Sequence, residues 1–563
     1  MNKSVKSLIY KGNIINFIIL SITNIFHSAA LIVISLMLEK IMAIATAKDL
    51  NGLIEQGIMF AILLAATIVC YIFVVFIKPS FQKKAINQYK NNIYSQILNK
   101  SITDFNAENV STYISVLTND VTYIETNYLF SQFDIISNVL LFIASVTVML
   151  LYSPILTLAA IGLSLLPLIS ALLVGSKLSY HEKVISDQNA SFMHFIKDNL
   201  IGFSTIKVFK AEKKFNELFE ANNNTLETKK ASRTKTTAIL EMVQTLVTTI
   251  AQFGVFFIGA YISIKTDTIA PSVIILFVQL MNFVMSPLMQ IPSLLSKRLA
   301  CLPLFKKIDN ILNANEIRDA NKTIIDIENI TISNVSFSYG ENQVLNNINY
   351  KIEKNKSYAL VGMSGSGKST LMNLLLGKEI NYEGNIYYGD NELREISLDS
   401  LFEVASLVEQ NVFVFDDSII NNITMYSQVD EKSLNEAIIK SGLSKLIEEK
   451  GADYRCGENG CNLSGGEKQR ISIARALVKK TKLLLLDEAT SALDNETSTS
   501  ITNNLLDIDN TTKIMITHRL DETLLKHFDE IIVMKNGLIV ESGNYDELIE
   551  NNSTFKSLVE FSK

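Results

Sequence analysis

Five stretches of this 563-residue chain contain no Asp, Glu, Lys or Arg: 12–38, 56–77, 135–176, 242–264 and 268–296, of 27, 22, 42, 23 and 29 residues. A helix needs about 20 apolar residues to cross a bilayer. Runs this long and this many imply membrane spans. Composition agrees, since 48% of residues are hydrophobic and only 19% charged, against about 25% charged in soluble proteins. A wholly soluble enzyme, a disordered chain and a secreted disulfide scaffold are excluded.

The longest run holds two spans, with Ser153-Pro154 as the turn between them. Six spans are therefore expected, at 14–38, 55–77, 134–152, 155–176, 240–263 and 269–293. Short connections alternate with two long polar ones, 78–133 and 177–239, of 56 and 63 residues. Lysines crowd the N-terminus (Lys3, Lys6, Lys11) and both long loops (Lys78, Lys83, Lys84, Lys90, Lys100, then Lys177 to Lys235). Lys and Arg stay on the cytoplasmic side, so both termini and both long loops are expected in the cytosol. Between residues 80 and 153 there is no proline, and the long loops read as helical extensions of the spans, each reaching roughly 40 Å at 1.5 Å per residue.

Four cysteines, Cys70, Cys301, Cys456 and Cys461, are too few and too scattered for a disulfide framework. A net charge of -6 gives no footprint for nucleic acid as a partner. The first apolar run is too long for a signal peptide, and its start near residue 14 leaves no room for an N-terminal peptidase domain.

From about residue 300 the composition changes. The expected division is a membrane domain over 1–305, a polar linker over 306–325 and an α/β domain over 326–563, where strands alternate with helices. In that domain Gly362-Met363-Ser364-Gly365-Ser366-Gly367-Lys368-Ser369 follows the apolar strand Tyr358–Val361 and opens a helix at Thr370. Glycines let successive N–H groups curl around phosphate, Lys368 reaches the β- and γ-phosphates, and the Ser369 hydroxyl suits Mg²⁺. The apolar strand from Leu483 ends in Asp487-Glu488. Asp487 suits Mg²⁺, and Glu488 can polarise the attacking water as general base.

Leu463-Ser464-Gly465-Gly466-Glu467, followed by Gln469-Arg470 and a helix, resembles the signature sequence of ATP-binding cassette (ABC) transporters. That resemblance implies further roles. Tyr339 matches the aromatic residue that stacks on adenine. Gln410 matches the glutamine that ligates Mg²⁺ and senses the membrane domain. Ser491-Ala492-Leu493-Asp494 matches the D-loop, and His518 the switch histidine, catalytic beside Glu488. Glu458 takes the place of the cross-talk residue, although Glu458-Asn459-Gly460 stands where the family has Glu-Arg-Gly. In the family the signature caps ATP held by the opposite subunit, so a dimer with a second copy or a related half-transporter is implied. Segments 101–112 and 199–212 lie where the family's coupling helices contact the nucleotide domain.

Polar stripes on the spans are candidates for the lining of a substrate pathway. They are Asn24, His27 and Ser28 in span 1; Gln244, Thr248 and Gln252 in span 5; and Gln279, Asn282, Ser286 and Gln290 in span 6. Equally, these groups would serve by hydrogen-bonding neighbouring helices.

The expected architecture is a helical membrane domain followed by a P-loop ATPase domain. The resemblance implies an ATP- and Mg²⁺-dependent exporter in the plasma membrane, a dimer moving a hydrophobic drug, lipid or small peptide by alternating access. A dedicated peptide or lipid-precursor exporter, and an importer built on the exporter fold, are the alternatives.

Overall fold

The computed structural model describes residues 9–266, 269–313, 320, 322–550 and 554–562, with side chains for all of these except 171–179, 313, 561 and 562. Lys3, Lys6, the Lys177 side chain and most of 314–321 in the expected linker lie outside the described residues. The chain forms two compact units.

The first unit is helical. Its elements are α1 (Ile14–Ala47), α2 (Leu50–Leu98), then, after the short α3 (Ile102–Asn106), α4 (Val110–Tyr152), α5 (Pro154–Ile201), α6 (Phe203–Val208), α7 (Glu212–Thr266) and α8 (Pro271–Asn313). Helices α1, α2, α4, α7 and α8 are long and apolar enough to cross a membrane; in α5 the described apolar stretch is Pro154–Ser170.

Local chemistry sets the helix ends. Lys48 enters the left-handed region at φ 58° and stops α1, and Asp49 Oδ1 accepts from the Asn51 and Gly52 amides at 3.1 Å to start α2. Ser153 Oγ accepts from Leu156 N at 3.3 Å, and Pro154 takes the first helical position of α5, where its missing N–H has no partner to lose. The long polar loops do continue the spans as helices of 49, 48 and 55 residues in α2, α5 and α7. Helix α4 carries two π-helical segments, Val116–Asp120 and Glu125–Phe130, which the sequence did not suggest. Helix α8 runs on to Asn313, past the expected boundary at 305.

Helix α8 forms the centre of this unit. Phe277, Leu280, Met281 and Val284 are buried against Met149, Leu156, Ala251 and Val255. Where lipid competes for apolar surface, such contacts hold by close packing and dispersion. Gly259 lets α7 approach, because a Cβ there would come within 3.2 Å of Ile274. Farther along, Lys307 Nζ pairs with Asp120 at 2.7 Å and ties α8 to the first π-helical segment.

The second unit comprises Ser101–Ala107 and the described residues from 320 onward. Its strands are β1 (Ile330–Tyr339), β2 (Asn342–Ile352), β3 (Ser357–Val361), β4 (Glu383–Tyr388), β5 (Asn391–Glu392), β6 (Ala405–Val408), β7 (Leu483–Asp487), β8 (Thr512–Ile516), β9 (Glu530–Lys535) and β10 (Leu538–Gly543). One sheet, ordered β10-β9-β3-β8-β7-β6, pairs β3, β6, β7, β8 and β9 in parallel. The other, β2-β1-β4-β5, is antiparallel. Strands β3 and β8 are buried at every position and β7 at all but its last residue. Such continuous burial is what helices on both faces of a parallel sheet demand. The carboxyl ends of β3 and β7 therefore open onto one edge, where ligands bind in folds of this kind.

Candidate nucleotide site

The loop from Gly362 to Ser369 leaves β3 and enters helix α9 (Lys368–Leu375). Gly367 caps that helix at φ 98°, a conformation that an L side chain resists. At Gly362 a Cβ would sit 2.2 Å from Met534 O, so only glycine fits. Lys368 is buried, and its ammonium donates to Gly362 O at 2.8 Å and Met363 O at 3.0 Å. Burial holds the Lys368 pKa below its ordinary value, with the charges of Glu488 and Asp487 opposing. Burial also raises the Asp487 carboxyl, against a hydrogen bond from Ser369 and the charge of Lys368. Ser366 Oγ is buried with no partner among the described residues. A half-desolvated cation, a half-desolvated carboxylate and an orphan hydroxyl gathered at a helix N-terminus are matched to an oxyanion with its counter-ion.

Glu488 follows directly on β7. Its φ of 49° is unusual for a non-glycine residue and turns the side chain out of the strand register. One carboxylate oxygen stands 2.8 Å from His518 Nε2, and the other accepts from Gln410 Nε2 at 2.7 Å. Tyr339, half-exposed at the end of β1, stacks edge-on against Phe337 with centroids 4.8 Å apart. Met363, Ser364 and Gly365 are exposed at the loop's crown.

Ser464 and Glu467 close a capping box at the start of α10 (Gly465–Val478). Ser464 Oγ accepts from Glu467 N at 3.2 Å, and Glu467 Oε2 accepts from Ser464 N at 2.6 Å. Leu463 is buried beneath the cap, while Ser464 and Gly465 are exposed. Gly466 lies against the D-loop, where a Cβ would meet Leu493 Cδ2 at 3.0 Å and Ala492 O at 3.1 Å. Asp494 caps the next helix, α11 (Asn495–Leu506), accepting from Thr497 N at 2.9 Å.

Sequence reasoning missed Gln469. Buried behind the signature, it accepts from Ala492 N at 2.9 Å and donates to Ser491 Oγ at 3.1 Å, fastening the D-loop to α10. A polar residue in register with the buried positions Ile473 and Ala476, two positions after Glu467, was the available signal. The unusual Asn459 has a physical reason: it sits at φ 50°, a left-handed position that Asn tolerates better than Arg. Exposed Glu458 begins that turn.

The family models match on both sides of the chain. Residues 17–288 match the ABC transporter transmembrane region and residues 345–491 the ABC transporter ATPase family. The chain belongs to the ABC transporter family. It is similar to the ATP-dependent lipid A-core flippase of Salmonella typhimurium, 28% identical over 489 residues, covering 84% of this chain and 83% of that one. The flippase of Francisella tularensis subsp. holarctica is 39% identical over 235 residues, 41% of this chain and 38% of that one. In fold it resembles a bacterial Atm1-family ABC exporter solved with ATP bound, at TM-score 0.84 and 20% identity over 98% of each chain. The ABC transporter is thus a multi-pass membrane protein that binds ATP, an ATPase coupled to transport.

The polar residues expected to line a pathway are only partly brought together. Asn24, His27 and Gln290 share one cavity of about 310 Å³ in the helical unit. Gln252 donates to Asn282 at 2.7 Å and Gln290 to Ser286 at 2.8 Å, so these pairs bond within and between helices. Gln244, Thr248 and Gln279 are half-buried outside that cavity. In the second unit Ile102 of α3 lines a cavity of about 640 Å³ with Phe402, Glu409, Met425 and Arg475, and Thr103 Oγ1 donates to Lys378 O. That contact rests on 101–107, the first half of the expected 101–112 segment.

Proposed function

We propose that the transporter exports a lipid-like amphipath from the cytoplasmic side of the plasma membrane, as a dimer with a second copy or a related half-transporter. The excess of Lys in the N-terminus and long loops supports a cytoplasmic ATPase and cytoplasmic termini. The flippase relatives support a lipid cargo. One observation carries the catalytic reading: a single carboxylate, Glu488, held between His518 and Gln410 beside the phosphate loop.

In this reading Tyr339 stacks on adenine. The amides of 362–367 and the Lys368 ammonium hold the phosphates. Ser369 and Asp487 offer hard oxygen donors suited to Mg²⁺, joined by Gln410 once its amide leaves Glu488; the ion supplies charge neutralisation across the β- and γ-phosphates. Glu488 takes the proton of the attacking water, and His518 orients Glu488. Exposed Ser464 and Gly465, at a helix N-terminus with small residues, cap the nucleotide held by the partner subunit. The D-loop, Ser491 to Asp494, lies between the two sites and is positioned by Gln469. Leu200, Ile201, Phe203, Val208 and Phe209, all more than half exposed around α6, supply the second coupling contact.

The test is ATP-driven movement of a fluorescent phospholipid between leaflets of proteoliposomes. Movement that requires ATP and is lost in Glu488→Gln supports the reading. An active ATPase that moves none of a panel of phospholipids and glycolipids overturns the lipid assignment.

A further inference from the structure

The cavity of about 310 Å³ lies between α1, α2, α4 and α8, and Asn24, His27, Tyr71, Asp134, Asn138 and Gln290 are among its lining residues. It contains a carboxylate, and no Lys or Arg lines it. Its amide groups are committed in one sense. Asn24 Nδ2 donates to Leu20 O at 2.8 Å. Asn138 Nδ2 donates to Asp134 O at 2.9 Å and to Gln290 Oε1 at 3.4 Å, and Gln290 Nε2 donates to Ser286 Oγ. Both N–H groups of Asn138 are therefore used, and one of the two on each of Asn24 and Gln290. Asn24 Oδ1, Asn138 Oδ1 and the Asp134 carboxylate accept no hydrogen bond among the described residues. Lys78 rests over the Phe130 ring, 4.9 Å from its centroid, and its charge reaches the Asp134 carboxylate from outside the cavity lining. Tyr71 and His27 pack edge to face with centroids 5.2 Å apart and form an aromatic wall.

A pocket with unspent acceptors, one negative charge and an aromatic wall is complementary to a donor-bearing cation and opposed to an anion. The π-helical segment Glu125–Phe130 ends one turn before Asp134, and such segments occur frequently at functional sites. We propose that this cavity is a substrate subsite for the cationic, hydrogen-bond-donating end of an amphipath, with Asp134 as the residue that selects for positive charge. The proposal rests on the export reading and narrows its cargo: an amphipath bearing an amine or guanidinium is bound here, and a purely anionic headgroup is not.

The experiment uses the full chain in nanodiscs of zwitterionic lipid, with ethidium, a flat cation bearing two amino groups, as the probe. Fluorescence anisotropy gives its affinity for wild type, Asp134→Asn and Asp134→Glu, and nucleotide affinity serves as the folding control. Wild type binds, Asp134→Asn binds about tenfold more weakly or worse, since a charge-assisted hydrogen bond is lost, and Asp134→Glu retains most of the affinity. Equal binding by wild type and Asp134→Asn, or no ethidium binding by wild type, overturns the proposal. Failure of the export reading shows separately, as ethidium binding with no ATP-dependent transport of any amphipath.

Discussion

Glu488 Oε1 stands 2.8 Å from His518 Nε2. The same carboxylate takes a second hydrogen bond from Gln410, so in the proposed mechanism base, orienting histidine and cation-sensing amide converge on one group. Glu488→Gln keeps the shape and removes the base. ATP binding is expected to persist while turnover falls at least about 10²-fold. Nucleotide affinity and steady-state phosphate release check this together. Hydrolysis near the wild-type rate would remove Glu488 from the role of base.

Gln469 should act through the D-loop. Replacing it with Ala leaves Ala492 N without its acceptor and Ser491 without its donor. These two hydrogen bonds, and a longer one of 3.5 Å to Glu488 O, are lost at a buried position, which predicts a fall of about tenfold in turnover. ATP affinity should stay near wild type, because Gln469 touches neither the phosphate loop nor Tyr339. A matching loss of affinity would show that the substitution unfolds the site instead.

Asp417 gives a pH-dependent prediction. Hydrogen bonds from Tyr426, Asn421 and the Ser418 amide hold its carboxyl at about 2, below an ordinary 3.8. A folded-state pKa below the unfolded one adds stability above the unfolded value and loses it as pH falls through the folded value. Asp417→Asn should therefore melt below wild type at neutral pH, and the gap should close as pH drops from about 4 toward 2. Thermal unfolding of the detergent-solubilised chain across that range measures it. A gap that is constant with pH would show that the ionised form is not what the contacts favour.

Much of this was legible in the sequence for a specific reason. Backbone cradles and buried strands leave residue signatures: Gly362 and Gly367 are required by close approach and positive φ, and Leu483–Leu486 by burial on both faces. Ser464 and Glu467, three residues apart, announce a capping box as well as a signature. Contacts between distant residues leave no such mark. The Gln410 bond to Glu488 spans 78 positions. The two π-helical segments of α4 fall in a stretch whose composition is ordinary. Asp134 drew no attention at the edge of an apolar run, because only the folded helices bring it beside Asn24 and His27.

Coupling should pass through the short helices α3 and α6. Glycine substitutions across 204–208 are expected to leave ATP binding intact and to abolish stimulation of hydrolysis by cargo, since the membrane helices then cannot bias the closed state. Thr103→Ala, which removes the donor to Lys378 O, should weaken the same stimulation in part. ATPase rates with and without transported cargo, alongside nucleotide affinity, decide it. Full stimulation in the folded glycine variant would place coupling elsewhere.

The central claim is that two chains build each ATP site, one contributing Lys368 and Glu488 and the other Ser464. Lys368→Ala and Ser464→Arg should each abolish hydrolysis as homodimers. Mixed dimers contain one site in which both defects fall and one in which neither does. The direct measurement is the ATPase rate of co-purified mixed dimers carrying a different tag on each chain. Activity clearly above both parent homodimers is the predicted result; mixed dimers as inactive as the parents would contradict a composite site.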